Sequence, residues 1–254
     1  MRRFFVPPEN LHVDPVPLTE EIVHHLGAVL RLSVGEEILL LDGKGRLCRC
    51  RLESLGRRAG TARVLECRQE TESALPVRLL QGLPKGDKMD LVLQKGTELG
   101  LAAFSPVLAE RSIPALSADR GEKRRQRWER IIREAAQQSR RAHLPRLGAV
   151  LPLAEALRDC DEDLRLLLWE EESCPLTEVL PAAAPRDVAV LVGPEGGFSA
   201  TEVAVARRAG FVPVSLGPRI LRSETAGLAM AAVLQYLYGD LGSGRTGGGR
   251  LPLR

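Results

Sequence analysis

Polar and apolar residues alternate through the first seventy positions and then group into longer apolar runs. Glu37-Ile38-Leu39-Leu40-Leu41 leads through Asp42-Gly43-Lys44-Gly45 into Leu47-Cys48-Arg49-Cys50-Arg51-Leu52, which predicts a hairpin with a glycine-containing turn. Thr61 to Cys67 predicts a further strand, and one helix interrupts, from about Thr19 to Leu30. Short antiparallel strands close most simply into a small barrel, so residues 1–70 read as a β-barrel and the polar stretch Gln69 to Leu75 as its boundary. Beyond it, strands predicted at 77–83, 104–108, 164–169, 188–192 and 212–216 alternate with helices at 87–99, 120–142, 152–159, 199–209 and 223–238. That alternation predicts an α/β domain over 75–238 with a mainly parallel sheet. Residues 239–254 carry six glycines and no apolar period, which predicts a flexible tail.

The helices differ in how they divide. In 120–142, Trp128, Ile131, Ile132, Ala135 and Ser139 share one side, while Arg127, Arg130, Glu134 and Arg141 share the other. In 87–99, Lys88, Leu91, Lys95 and Glu98 lie on one face, and a Lys–Glu pair at this spacing is ordinarily a weak surface pair. The last helix, Thr225 to Tyr238, is apolar on nearly every side, a pattern of burial. Its small residues Ala226, Gly227, Ala229, Ala231 and Ala232 permit close backbone approach, inside one subunit or between two.

Composition narrows the class. The 44% hydrophobic content supports a core, and aromatics at 4% leave the packing to aliphatic side chains. No stretch approaches the ~20 apolar residues of a membrane span, and the basic N-terminus lacks a signal-peptide segment, so a cytoplasmic protein with no membrane partner is expected. Five cysteines, an odd number without Cys-x-x-Cys, argue against a disulfide scaffold, and Cys48 and Cys50 read as small buried hydrophobes. His24-His25 has no partner at metal spacing, so no metal is expected. The net charge is only +3, yet residues 111–146 hold eleven Lys and Arg against four Asp and Glu. A concentrated basic surface suits a polyanion, although a solvated helical face gives the same pattern.

Two segments carry candidate chemistry. Val188 to Val192 runs into Gly193-Pro194-Glu195-Gly196-Gly197-Phe198-Ser199, and Val212 to Leu216 runs into Gly217-Pro218-Arg219-Ile220-Leu221-Arg222-Ser223-Glu224-Thr225-Ala226. Each sits where a strand gives way to a helix, the edge at which α/β proteins bind ligands. Glycines there let backbone groups approach a ligand without a Cβ in the way. Ser199-Ala200-Thr201-Glu202 is a capping box. Neither segment is a Walker A loop or Gly-x-Gly-x-x-Gly, which disfavours phosphate cradling and a dinucleotide turn.

These motifs resemble the RsmE family of ribosomal RNA methyltransferases. The resemblance extends through Arg2-Arg3-Phe4-Phe5, His25-Leu26-x-x-Val29-Leu30-Arg31, Lys85-Gly86-Asp87-Lys88-Met89-Asp90, Gln94-Lys95-x-Thr97-Glu98-Leu99-Gly100 and Glu134-Ala135-Ala136-x-Gln138-Ser139-x-Arg141. Gly96 departs from it, standing where alanine is expected at a cost to that helix. The resemblance implies a PUA-like RNA-binding barrel before a SPOUT-type α/β domain with a trefoil knot, a homodimer, S-adenosylmethionine as cofactor, and N3 of a uridine in 16S ribosomal RNA as target. Leu168, Gly193, Pro194, Glu195, Gly196, Gly197, Leu216, Gly217, Ile220, Leu221, Arg222, Thr225 and Ala226 would then hold the cofactor. Arg2, Arg3, Arg31, Lys88, Lys95, Arg111, Arg127, Arg130 and Arg141 would meet RNA.

Arg222 is the first choice to stabilise charge on the uridine, because a guanidinium stays protonated and donates bidentately. Glu195 and Glu224 are candidate bases or orienters, and pairing with Arg219 or Arg222 to shape the loops is the structural alternative. A non-catalytic ribosome-assembly protein on this scaffold, or a related methyltransferase acting at another RNA position, are the competing functions.

Overall fold

The computed structural model describes residues 1–112, 118–171 and 173–242. The chain divides into two compact units, Met1–Glu72 with Ala136–Leu144, and Ser73–Ala135 with the chain from Pro145 onward.

In the first unit, β1 (Arg3–Phe5) is followed by a 3-10 turn at Pro8–His12, β2 (Val16–Leu18), α1 (Glu20–His24) and a π-helical turn at His25–Val29. Then come β3 (Glu37–Leu41), β4 (Arg46–Leu55) and β5 (Gly60–Gln69). The strand order is β1-β3-β4-β5-β2, parallel between β1 and β3 and antiparallel elsewhere. Register shifts at Arg49/Cys50 and Leu52/Ser54 bend the ten-residue strands β4 and β5. The sheet wraps a core that includes Val16, Leu26, Ile38, Leu40 and Leu52. Its three-residue edge strands β1 and β2 do not pair with each other, so the expected barrel is a curled open sheet.

The cysteine expectation needs correction. Cys48 and Cys67 stand opposite each other across β4 and β5 and form a disulfide. An odd count excludes only complete pairing; Cys50, Cys160 and Cys174 are free. Cys50 is a buried core residue as expected.

The second unit contains β6 (Val77–Gly82), α2 (Lys88–Glu98), β7 (Ala103–Leu108), α3 (Ala118–Ser139), β8 (Arg146–Leu147), β9 (Leu151–Pro152), α4 (Leu153–Ala156), β10 (Leu164–Leu168), β11 (Cys174–Pro175), α5 (Leu176–Val179), β12 (Val188–Val192), α6 (Ala200–Arg208), β13 (Val212–Ser215) and α7 (Ser223–Leu237). Its strands pair in the order β11-β13-β10-β12-β6-β7-β8, with β9 also on β7, and every pairing is parallel. Parallel strands are covered on both faces, and all five residues of β12 are buried. Leu80, Leu167 and Leu191 face Phe198, Val203 and Phe211 on one side. α2 and α7 pack together, with α7 against β6 and β12; a Cβ on Gly227 would come within 2.9 Å of Leu79 Cδ1, so glycine sets this close approach. The order places the carboxyl ends of β10, β12 and β13 side by side.

The predicted helix 120–142 ends early. Ser139 is its last residue, and Arg140 turns to a left-handed φ of 65°. Ala136 and Ala142 then pack with Phe5, Leu41 and Leu47, which joins this segment to the first unit. Of the predicted tail, Gly239 and Leu241 donate backbone N–H groups to the Gln235 carbonyl, which closes α7; residues 243–254 lie outside the described residues.

Gly96 has a packing reason. A Cβ there would come 2.7 Å from Leu101 Cδ1 and from Phe104 Cε1, both side chains fully buried. Alanine would gain about 1 kcal/mol of helix propensity, but overpacking a tight core costs about 1–3 kcal/mol. Gly96→Ala is therefore expected to lower the melting temperature by a few degrees, about 2–4 °C per kcal/mol at this size. A rise on thermal denaturation would show that helix propensity wins.

Candidate active site at the carboxyl ends of the parallel strands

Two turns leave adjacent strand ends. After β12 the chain folds back at Pro194, whose carbonyl accepts the Gly197 N–H at 2.9 Å, with Gly197 at a φ of 68°. The capping box forms: Ser199 Oγ accepts the Glu202 N–H at 3.3 Å and the Ser199 N–H donates to Glu202 Oε2 at 2.9 Å. After β13 the loop turns at Gly217, φ 113°, and ends at Arg222, whose carbonyl accepts the N–H groups of Thr225 and Ala226 to start α7.

Between the turns lies a cavity of about 800 Å³. Leu168, Gly193, Pro194, Glu195, Gly197, Leu216, Gly217, Ile220, Leu221, Arg222 and Ala226 line it, as do Trp169, Glu170, Ser223 and Lys88. A Cβ on Gly197 or Gly217 would project into open space. A ligand can therefore approach the bare backbone at both turns. Gly196 and Thr225, assigned to the cofactor from sequence, are not on this lining. The Gly196 carbonyl accepts from Arg111 Nη1 at 2.8 Å, and a Cβ on Gly196 would sit 3.0 Å from Arg111 Cβ. Thr225 is exposed.

A third element closes the site. The end of β6 presses on the first turn, since a Cβ on Gly82 would lie 2.6 Å from Pro194 Cδ. Gln81 Nε2 donates to Ser223 Oγ at 2.9 Å, and that hydroxyl donates to the Gly193 carbonyl at 2.5 Å. Lys88, the first residue of α2, places Nζ 2.9 Å from Glu195 Oε1 and 3.4 Å from Glu224 Oε2. The Lys85 N–H donates to both Glu195 oxygens, at 3.0 and 3.2 Å. Burial pushes the Glu195 carboxyl up, but the Lys88 ammonium and the N–H groups of Glu195 and Lys85 outweigh it and hold it below the usual carboxylate range. The hydrogen bond to Glu195 holds the Lys88 ammonium above its usual range. Glu224 is buried, and its Oε2 has no hydrogen-bond partner among the described residues, nor has Gln81 Oε1.

The two glutamates thus pair with Lys88, where the sequence suggested Arg219 or Arg222. Arg219 and Arg222 are exposed and make no ion pair among the described residues. Lys88 stands among the RNA residues that the resemblance implies; its place beside the glycine turns is a tertiary fact. Ser223 and Gln81 were missed for the same reason.

The remaining RNA candidates scatter. Arg2 and Arg31 are exposed. Arg3 pairs with Glu70 at 3.6 Å and donates to the Arg140 carbonyl. Lys95 pairs with Glu98 at 2.9 Å, Arg127 with Asp87 and Asp90, Arg130 with Glu134 at 3.9 Å, and Arg141 with Glu72. Of the basic stretch, Arg127 and Arg141 thus meet carboxylates from outside it, and Arg141, with its side chain 10% exposed, has a structural role in the first unit.

Comparison with known proteins agrees with this anatomy. A family model described as an RNA methyltransferase domain matches residues 71–235, and one described as an RNA methyltransferase PUA domain matches residues 18–65. Together with the cavity, they define the class, an RNA methyltransferase with a PUA domain ahead of its catalytic domain. Within that class the chain belongs to the ribosomal RNA small subunit methyltransferase E family. It is 34% identical to the family's Bacillus subtilis protein over 247 residues, 93% of this chain and 96% of that one. It is 37% identical to the Synechocystis protein over 240 residues, covering 92% and 77%. The crystal structure of the Neisseria gonorrhoeae ribosomal RNA small subunit methyltransferase E bound to S-adenosyl methionine superposes with a TM-score of 0.86 at 39% identity, covering 95% of this chain and 99% of that one.

Proposed function

We propose that this chain transfers the methyl group of S-adenosylmethionine to N3 of a uridine in 16S ribosomal RNA. The observation that carries the reading is the cavity between two bare glycine turns, with Arg222 on its wall making no ion pair among the described residues. The backbone of Gly193–Gly197 and Leu216–Leu221, with Leu168, would hold the cofactor. When bound, S-adenosylmethionine supplies the electrophilic methyl group. Uridine N3 must lose its proton before it attacks, and the charge then spreads to O2 and O4. Arg222 is placed to stabilise that charge, which a fixed guanidinium does well. Glu195 and Glu224, both paired with Lys88, serve as base or orienters.

N3 lies on the Watson–Crick edge, so the target uridine must be unpaired or turned out of its helix. The PUA domain and the basic side of α3 would hold the RNA backbone and set its register. A cytoplasmic site of action and the knotted α/β topology belong to the same reading; the return of α7 onto β6 and β12 after β13 supports the latter. Incubating the purified protein with the donor and unmodified small-subunit RNA, followed by nucleoside analysis, should yield 3-methyluridine. Methylation at another atom, or binding without methylation, would favour one of the competing functions.

The reading includes a homodimer through α7. Its outward stripe of Leu228, Ala229, Ala232, Val233 and Tyr236 is apolar and only partly covered, with Tyr236 57% exposed. Sedimentation equilibrium should give twice the 27.7 kDa chain mass. Val233→Asp should give the monomer, because a charge in an apolar interface is costly unless paired. A wild-type monomer at micromolar concentration with full activity would refute the dimer.

A further inference from the structure

Lys88 sits where three pieces of the second unit meet. It begins α2, its ammonium reaches Glu195 on the first turn at 2.9 Å, and it reaches Glu224 on α7 at 3.4 Å. We propose that Lys88 is a positioning residue for methyl transfer: by pairing with both Glu195 and Glu224 it holds the two carboxylates at a set separation and so fixes the first turn and the start of α7 on either side of the donor. This rests on the methyl-transfer reading above.

Two carboxylates within 3.4 Å of one nitrogen repel each other strongly unless a cation lies between them. Without one, the like charges drive the two side chains apart and their hydrogen bonds rearrange. Burial also pushes the Glu195 carboxyl up, and Lys88 is the side chain that opposes it. The ammonium is also poorly available to a phosphate, since both carboxylates already engage it. A hydrogen-bond tether joins the same pieces independently, from Gln81 through Ser223 to the Gly193 carbonyl. Loss of the Lys88 charge should therefore disturb the pair while the turns remain folded. Other charged groups on the neighbouring elements are Lys85 before α2, Asp87 and Asp90 beside it, held by Arg127, Arg111 against the first turn, Arg219 and Arg222 on the second turn, and Glu170 and Glu171 after β10. None of these is a histidine that would titrate near neutrality.

The test compares wild type with Lys88→Met, which keeps an apolar stem, and Lys88→Arg, which keeps the charge. Donor affinity by calorimetry and single-turnover methylation of small-subunit RNA are measured between about pH 4 and 8. In wild type Lys88 holds the Glu195 carboxyl below the usual carboxylate range, so an acid limb is expected only at the bottom of this window. Lys88→Met should bind or react more weakly and carry that limb to higher pH, the deficit growing by up to about tenfold at the acid end for each unit the limb moves and shrinking as pH rises. Lys88→Arg should return the limb to its wild-type place. Adding Lys88→Met to Glu195→Gln should cost little more than Glu195→Gln alone, as for residues acting through one another.

A Lys88→Met protein with wild-type affinity, rate and pH profile overturns the proposal. So does a loss equal at every pH that Lys88→Arg fails to repair, which is the mark of a merely structural contact. An active wild type with an indifferent Lys88→Met removes the positioning role alone. A wild type that neither binds the donor nor methylates RNA removes the functional reading, and this proposal with it.

Discussion

Replacing Arg222 with methionine should lower the single-turnover methylation rate about a hundred- to a thousand-fold, the cost of losing one group aimed at developing charge. Donor affinity should stay close to wild type. The guanidinium is exposed on the cavity wall and makes no ion pair among the described residues, so its charge is available to a substrate. Its backbone, not its side chain, starts α7: the carbonyl accepts two N–H groups and the side chain makes no capping bond. Truncating it should therefore leave the helix in place. The donor is itself a cation at sulfur, so removing a positive neighbour should not weaken it. Arg222→Lys keeps the charge but loses the planar pair of donors, and should recover only part of the rate. An Arg222→Met enzyme with a wild-type rate and a raised KM for RNA would move Arg222 from the reacting base to the RNA backbone.

The main strands and helices of the second unit were legible as apolar runs and helical periods, whereas its two-residue strands β8, β9 and β11 carry no period. Val188–Val192 is a continuous apolar run, and the parallel strand it forms is buried on both faces. β1 and β2, at three residues each, are too short to show a period, and without them the sheet could not be seen to stay open. The Cys48–Cys67 link depended on register across two strands, which a count of cysteines does not contain. The glycine turns were legible because backbone freedom is written in the residue type itself. Their third support was not. Gln81, Lys88 and Ser223 come from three places in the chain, and only the strand order beside β6 brings them together. The basic stretch showed charge but not pairing, because the carboxylates that Arg127 and Arg141 meet, Asp87, Asp90 and Glu72, lie outside the window in which charge was counted.

Gly217→Val should abolish measurable donor binding, with affinity falling at least about a hundredfold, while the protein stays folded. Two effects act together. Gly217 has a φ of 113°, a conformation that costs a residue with a Cβ about 1–3 kcal/mol. Its missing Cβ points into open space on the cavity lining, so a branched side chain would stand where a ligand meets the backbone. Relief of the strain would move the turn, and retention of the turn would block the site; either way the donor loses its seat. Gly217→Ala should fall between the two. Gly196→Val is the informative contrast, since its side chain would press on the exposed Arg111 and not on the cavity. Its donor affinity should change far less, although sequence alone ranked both glycines as cofactor ligands. Calorimetry on variants checked by circular dichroism decides the matter. A folded Gly217→Val protein that binds S-adenosylmethionine like wild type would mean the donor does not lie against the second turn.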